Sequence, residues 1–192
     1  MEIKFLNKST IFLKGKKESV LIDPTEKEII DNKNNSRIIV YTNGDFNQTD
    51  LLNNEKIVIR GGGEYEIGGV EIIGINGENG NTVYRIVIDT FAITVLGKIS
   101  QELSPKRIEK IDSADILIAP TKIGDICSHK LVKEWSKKWG VNYLVPLADD
   151  EEYLKKFLDE ADEEGLETVE SIKLDKKEDL PDGLEIKLLK NN

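Results

Sequence analysis

Histidine is almost absent from this chain: His129 is the only one in 192 residues. Cysteine is equally scarce, with Cys127 alone. A single thiol excludes an intrachain disulfide framework and makes the cytoplasm the expected compartment. One imidazole and one thiol also exclude a metal centre built from several such ligands. No apolar run approaches the roughly 20 residues that a membrane span requires. The opening Met1-Glu2-Ile3-Lys4-Phe5 carries an acid and does not read as a signal peptide. Positive charge is in the minority, with 27 Lys and Arg against 36 Asp and Glu and a net charge of −9. That balance argues against nonspecific binding to phosphate backbones. Neither nucleic acid nor a membrane is therefore expected as a partner.

Apolar residues make up 39% of the chain and charged residues 33%, the balance of a soluble globular protein. The length suits one domain with a sizeable core, and no linker or internal repeat divides residues 1–192. Residues 2–6, 10–14 and 18–22 read as short strands, with turns at Asn7-Lys8-Ser9 and Gly15-Lys16-Lys17. Asp23-Pro24 ends the third, and the polar residues 25–36 read as a loop. Ile38–Tyr41 and Lys56–Ile59 are apolar runs of the buried-strand kind. Gly68-Gly69 folds Glu64–Ile67 onto Val70–Ile73 as a hairpin. Thr82–Ile88 alternates and returns through Asp89-Thr90 as Ala92–Leu96.

From there strands alternate with helices. Ser104-Pro105 is a helix start, with Ile108 and Ile111 facing inward. Asp115–Ala119 is a buried strand closed by Pro120. Leu131, Val132, Trp135 and Trp139 mark the core-facing side of a helix from Ser128 to Trp139, ended by Gly140. Asn142–Val145 is a strand stopped by Pro146. Asp149-Asp150 opens another helix, with Tyr153, Leu154, Phe157, Leu158 and Ala161 inward. Strands around Glu170–Leu174 and Leu184–Leu189 follow. This order fits an α/β protein of two packed sheets with helices outside.

The stretch with the most chemistry to account for is Tyr41-Thr42-Asn43-Gly44-Asp45-Phe46-Asn47-Gln48-Thr49-Asp50, which follows the run Ile38-Ile39-Val40. It resembles the Thr-His-x-His-x-Asp-His loop of the metallo-β-lactamase superfamily in frame and spacers. Asn43 and Asp45 stand where the first two histidines would be, and Asn47 and Gln48 where the Asp-His pair would be. The resemblance extends along the chain and is nearest to the branch that includes the ascorbate-6-phosphate lactonases. Phe5-Leu6-Asn7-Lys8-Ser9-Thr10-Ile11-Phe12-Leu13 is similar to the branch's Leu-Gly-His-Ser-x-Phe-Leu opening without its Gly and His. Val20-Leu21-Ile22-Asp23-Pro24 matches its next strand, with Asp23 at the aspartate that braces the metal loop. Gly63-Glu64-Tyr65-Glu66-Ile67 with Gly69-Val70 resembles its Gly-Glu-Tyr-Glu-x-x-Gly-Val block, and Leu180-Pro181 fits as well. In Leu96-Gly97-Lys98-Ile99-Ser100-Gln101, Lys98 replaces the bridging aspartate and Gln101 a histidine. In Val145-Pro146-Leu147-Ala148, Ala148 replaces the last histidine.

The resemblance implies a four-layer αββα sandwich. It also implies a dinuclear zinc site of about five histidines and a bridging aspartate, which one histidine cannot supply. The expectation is a catalytically inactive member of that fold with no metal and no cofactor. Its role would be structural, regulatory or partner-binding, through an unidentified protein or self-association. An alternative is a metal-independent small-molecule binder or hydrolase that reuses a residual cleft of Asp23, Asp45, Asp50 and Lys98. A further one is the family's metal-dependent hydrolase with ligands elsewhere. An ammonium repels a bound cation, so Lys98 is expected within ion-pair distance of Asp45, Asp23 or Asp50.

Other patterns favour structural readings. Asn43-x-Asp45-x-Asn47-x-Thr49 alternates oxygen donors suited to a hard cation, yet lacks the Gly at Gln48 and Glu at Asn54 of a calcium loop. Cys127 and His129 are two apart and do not face each other on a helix, so a buried Cys and a surface His are expected. Gly61-Gly62-Gly63 precedes a strand rather than a helix and reads as a tight turn. Asp159–Glu164 reads as a solvated face, and Trp135 and Trp139 as core.

Overall fold

The computed structural model describes residues 1–31, 35–43, 56–77 and 79–190. The chain opens with strands β1 (Glu2–Phe5), β2 (Ile11–Lys14) and β3 (Ser19–Ile22), then helix α1 (Glu26–Asp31), β4 (Ile38–Tyr41) and β5 (Ile57–Arg60). A meander follows: β6 (Gly63–Ile67), β7 (Val70–Asn76), β8 (Thr82–Ile88) and β9 (Phe91–Val95). Next come α2 (Pro105–Ile108), β10 (Ile116–Pro120), the small pair β11 (Lys122–Ile123) and β12 (Ile126–Cys127), α3 (His129–Trp139), β13 (Tyr143–Leu147) and α4 (Glu151–Glu160). Short strands close the chain: β14 (Thr168–Val169), β15 (Ile172–Lys173), β16 (Glu185–Ile186) and β17 (Leu188–Leu189).

Among the described residues two large sheets form. The first has the order β15-β1-β2-β3-β4-β5, and the second β16-β13-β10-β9-β8-β7-β6. Side-chain alternation explains their packing. Ile3, Leu13, Val20, Ile22, Ile38 and Val40 of the first sheet meet Ile72, Ile86, Ile93, Val95, Ile116 and Ile118 of the second in one buried cluster. The intervening residues Leu117, Ala119 and Leu144 face the other way, onto Val132, Trp135 and Trp139 of α3 and Phe157 of α4. The parallel part of the second sheet is thus buried on both faces, so that β9, β10 and β13 read as near-continuous apolar runs, whereas Glu64, Glu66 and Glu71 of β6 and β7 are exposed. On the outer face of the first sheet Phe12, Leu21 and Ile39 are also buried. Asn7 joins the β1–β2 turn to α1 by donating to Glu28 at 2.8 Å.

Three local readings need correction. Residues 25–36 are not all loop, because Thr25-x-x-Glu28 makes a helix start. The Thr25 N–H donates to the Glu28 carboxylate at 2.8 Å, and the hydroxyl also donates to it. Pro146 does not stop its strand. Lys187 N–H bonds the Leu144 carbonyl, so alternate residues of β13 face β16, and β16 pairs only with Tyr143 and Leu144. Pro146 faces that side beyond the end of β16, where a missing N–H breaks no ladder bond. His129 is buried rather than on the surface, at 7% exposure. The Ser128 hydroxyl is hydrogen-bonded to the Pro120 carbonyl, which draws the start of α3 inward, and the imidazole packs edge-on against Phe157 at 5.2 Å.

No helix of the described residues is long and apolar enough to cross a membrane. Of the α4 residues expected inward, Phe157 alone is fully buried. Phe157→Ala should therefore cost about 3–5 kcal/mol, read from the urea midpoint at unchanged slope. A loss below about 1 kcal/mol would mean that α4 contributes little to the core.

Candidate functional site

The cleft end of the molecule is assembled from strand ends of both sheets. Asp23, after β3, has a φ of +48°, a left-handed conformation that Asp tolerates better than most residues. This turn aims its carboxylate at the end of β4. Oδ1 accepts the Thr42 N–H at 2.7 Å and Oδ2 accepts the Thr42 hydroxyl at 2.5 Å. Thr42 then reaches the other sheet, since its carbonyl accepts the Thr82 N–H at the start of β8 at 2.7 Å. Asn43 forms an antiparallel bridge with Asn81, whose side chain donates to the Leu96 carbonyl at 3.3 Å. Gly97, after β9, has a φ of +62°. A Cβ there would stand 2.4 Å from the Thr42 hydroxyl, so the close approach of the two loops requires glycine.

These contacts outline a hollow of about 280 Å³ lined by Ser9, Asp23, Pro24, Tyr41, Thr42, Asn43 and Lys98. Burial pushes the Asp23 carboxyl above its ordinary value, although both Thr42 hydrogen bonds and the Lys98 charge oppose the shift. Lys98 does not form its ion pair with Asp23. Its ammonium lies 3.0 Å from Asp149, and both side chains are about half exposed. The physical reason is that Asp23 is turned inward with both oxygens engaged by Thr42, whereas Asp149 follows β13 at the open rim. Lys98 also lines a neighbouring hollow of about 200 Å³ with Ser100, Thr121, Lys122 and Asp149.

The candidate residues are thus only partly brought together. Asp23, Asn43 and Lys98 share one hollow. Gln101 is exposed outside it, and Ala148 opens onto a separate hollow with Phe5, Lys8 and Asp149. Asp45, Asn47, Gln48 and Asp50 lie outside the described residues. Sequence reasoning missed Asp149, whose only signal was its place beside Ala148. Ser9 and Tyr41 gave no signal of their own.

The donor chemistry does not fit the dinuclear zinc site that the fold implies. The described positions at which the sequence resemblance would place ligands offer the amides of Asn43 and Gln101, the ammonium of Lys98 and the methyl of Ala148. Among the described residues no three His, Cys, Asp or Glu side chains are grouped to hold a metal ion. His129 lies in α3 against Phe157 and lines a different cavity. Burial, reinforced by the Lys133 charge, depresses its basicity. Burial raises the Cys127 thiol pKa, and the thiol is hydrogen-bonded to the His129 main chain. That is an inert pair rather than a nucleophile and base.

Comparison with known proteins places this geometry. Residues 2–148 match the family model described as the beta-lactamase superfamily domain. The chain superposes on a proposed Zn-dependent hydrolase of the metallo-β-lactamase superfamily from Thermotoga maritima with a TM-score of 0.76. The identity is 18%, over 98% of each chain. It is similar to the metallo-β-lactamase fold protein YhfI of Bacillus subtilis, with a TM-score of 0.65, 10% identity and coverage of 99% and 96% of the two chains. A proposed metal-dependent hydrolase from Parabacteroides distasonis gives 0.64, 12% identity and coverage of 98% and 93%. At these identities the likeness concerns the fold. No curated protein matches the sequence.

The Asp23 geometry generates a pH prediction. An acid whose folded pKa is raised stabilises the folded state, relative to its ionised form, at pH below the ordinary value of 3.8. That contribution is lost as pH rises from there through the raised folded value. Asp23→Asn keeps an acceptor for the Thr42 N–H and removes the titration. Urea unfolding of both proteins from about pH 4 to pH 7 should show the native protein losing stability relative to the variant. A difference that stays flat, or moves the other way, would rule out the buried-acid assignment.

Proposed function

Because the chain belongs to the beta-lactamase superfamily, we propose that it uses the superfamily's scaffold in a role that does not run through zinc. The role is structural, regulatory or partner-binding, exercised through another protein or a second copy, in the cytoplasm. The lactonase-like branch supplies the nearest sequence pattern, and the chain is a member whose metal ligands have been replaced.

The observation that carries this reading is Lys98. It stands where the resemblance places a bridging aspartate, and its ammonium is paired with Asp149 at 3.0 Å. A lysine there cannot ligate zinc at neutral pH and raises the electrostatic cost of a cation in the cleft. The single histidine of the whole chain is committed to α3, so no rearrangement of the loops supplies the missing imidazoles. Similar folds are described as metal-dependent hydrolases, whereas the zinc site that the resemblance implies needs more histidines than the one this chain possesses.

The hollow of about 280 Å³ favours a second reading, in which the cleft binds a small molecule without metal. Lys98 would anchor an anionic group and Asp23 would hold the wall, since a cleft can outlast its original chemistry.

Purified protein analysed for Zn, Fe, Mn and Ca should carry well under one metal per chain. Its melting temperature should move by less than about 1 °C on addition of chelator. Stoichiometric tightly bound metal, with a chelator-dependent loss of stability, would overturn the reading.

A further inference from the structure

A hollow of about 760 Å³ lies along α3 and shares no residue with the cleft. His129, Ser136 and Gly140 line it at i, i+7 and i+11, a single strip of the helix surface. Ser136 and Gly140 are small, and a Cβ on Gly140 would meet no atom within 4 Å. The space beside that end of the strip is open. The Ser136 hydroxyl is buried and donates to the Val132 carbonyl at 2.7 Å, so its hydrogen is not offered to the hollow. Val141 follows Gly140, and the Glu185 N–H bonds the Asn142 carbonyl, which brings Leu184 to the same end. Leu184 is 41% exposed, so this end presents apolar surface to solvent.

The other end is polar. His129 is 7% exposed, and its ring makes no hydrogen bond among the described residues. Lys133 lies one turn on. Burial and then the Lys133 charge lower the basicity of the ring, and the Glu160 and Asp162 charges oppose them. Lys130 and Lys137 also line the hollow, and none of the three lysines forms an ion pair among the described residues. Glu134 and Glu160 are the acids in the lining. Three ammonium groups against two carboxylates leave one positive charge unmatched.

We propose that this hollow binds a long-chain monocarboxylate. Its carboxylate accepts hydrogen bonds from the Lys133 ammonium and the His129 ring, and its alkyl chain runs past Ser136 and Gly140 to Val141 and Leu184. A neutral imidazole has one N–H to donate, and leaving it buried without an acceptor is costly, so the carboxylate satisfies a group that the protein leaves unpaired. From His129 to Gly140 the helix rises about 16 Å, room for an extended chain of roughly a dozen carbons. Lysine stems add apolar surface along that path. One unmatched positive charge suits one negative charge, whereas the second charge of a phosphate would face Glu134 and Glu160 without compensation.

The test is calorimetric titration of the full chain with dodecanoate, dodecylamine, dodecyl phosphate and butanoate, each below its micellar concentration. His129 is the single histidine, so its ring resonances are unambiguous and are followed in parallel by NMR. Dodecanoate should bind more tightly than the other three and shift those resonances. Leu184→Asp and Lys133→Glu, both at exposed positions, should each weaken binding by roughly tenfold or more. Lys98→Ala, in the cleft, should leave it unchanged. Four results would each overturn the proposal: no binding of dodecanoate, binding that survives both substitutions, ring resonances that stay still, or equal or tighter binding of any of the other three compounds. Loss of binding on Lys98→Ala would place the ligand in the cleft and overturn it as well. So would a dimer, seen by analytical ultracentrifugation, that Leu184→Asp dissociates, because a second copy would then cover the hollow. None of these outcomes touches the metal analysis, so the two readings fail separately.

Discussion

A buried carboxylate holds the cleft end of this molecule together. Asp23 makes two hydrogen bonds to Thr42, one from its N–H and one from its hydroxyl, and so ties the end of β3 to the end of β4. Thr42 is the point where the sheets meet, because its carbonyl takes the Thr82 N–H and its hydroxyl lies against Gly97. The inter-sheet core below is apolar and non-directional, so it could tolerate small shifts of one sheet on the other. The Asp23–Thr42–Thr82 chain is directional and permits only one arrangement of the strand ends. Burying the carboxylate opposes its ionisation, and the Thr42 donors and the Lys98 charge reduce that cost without removing it.

The second charge at the cleft is managed differently. Lys98 and Asp149 meet in solvent, and an exposed pair of this kind contributes about 0–1 kcal/mol to stability. Its significance lies in placing fixed positive charge at the rim rather than in holding the fold. Asp23 is too far committed to Thr42 to neutralise Lys98. The cleft therefore joins an inward acid that behaves structurally to an outward cation that faces the solvent.

Much of the fold was legible in the sequence because both faces of the parallel part of the second sheet are covered. Ile116–Pro120 is apolar at every position and Phe91–Val95 at every position but Thr94, and such runs are visible without knowing their partners. α3 was legible from the spacing of Val132, Trp135 and Trp139 and from Gly140, which takes a φ of +68°. The failures share one cause. Whether Pro146 ends a strand depends on how far β16 extends along β13. Whether His129 is buried depends on Phe157. Each is decided by a residue distant in sequence, which local patterns cannot report. α1 is the exception, since Thr25-x-x-Glu28 is a local signal that a polar composition obscured. At the site, Asp23 and Lys98 were legible as members of one cleft from the resemblance, whereas the pairing of Lys98 with Asp149 was not.

The same hydrogen bonds fix the strand ends through protein groups alone. In a small domain whose loops are organised by an ion, losing the ligands removes folding energy. Here the contacts that fix the strand ends are hydrogen bonds between protein groups, most of them with a main-chain partner. They use Asp23, Thr42, Asn81 and Gly97, none of which stands where the sequence resemblance places a metal ligand. The Asn43–Asn81 bridge is likewise formed by backbone and is indifferent to the side chain at position 43. The side chains at Asn43, Lys98 and Ala148 therefore carry none of this framework. Constraint on the cleft passes to whatever the surface there is required to recognise.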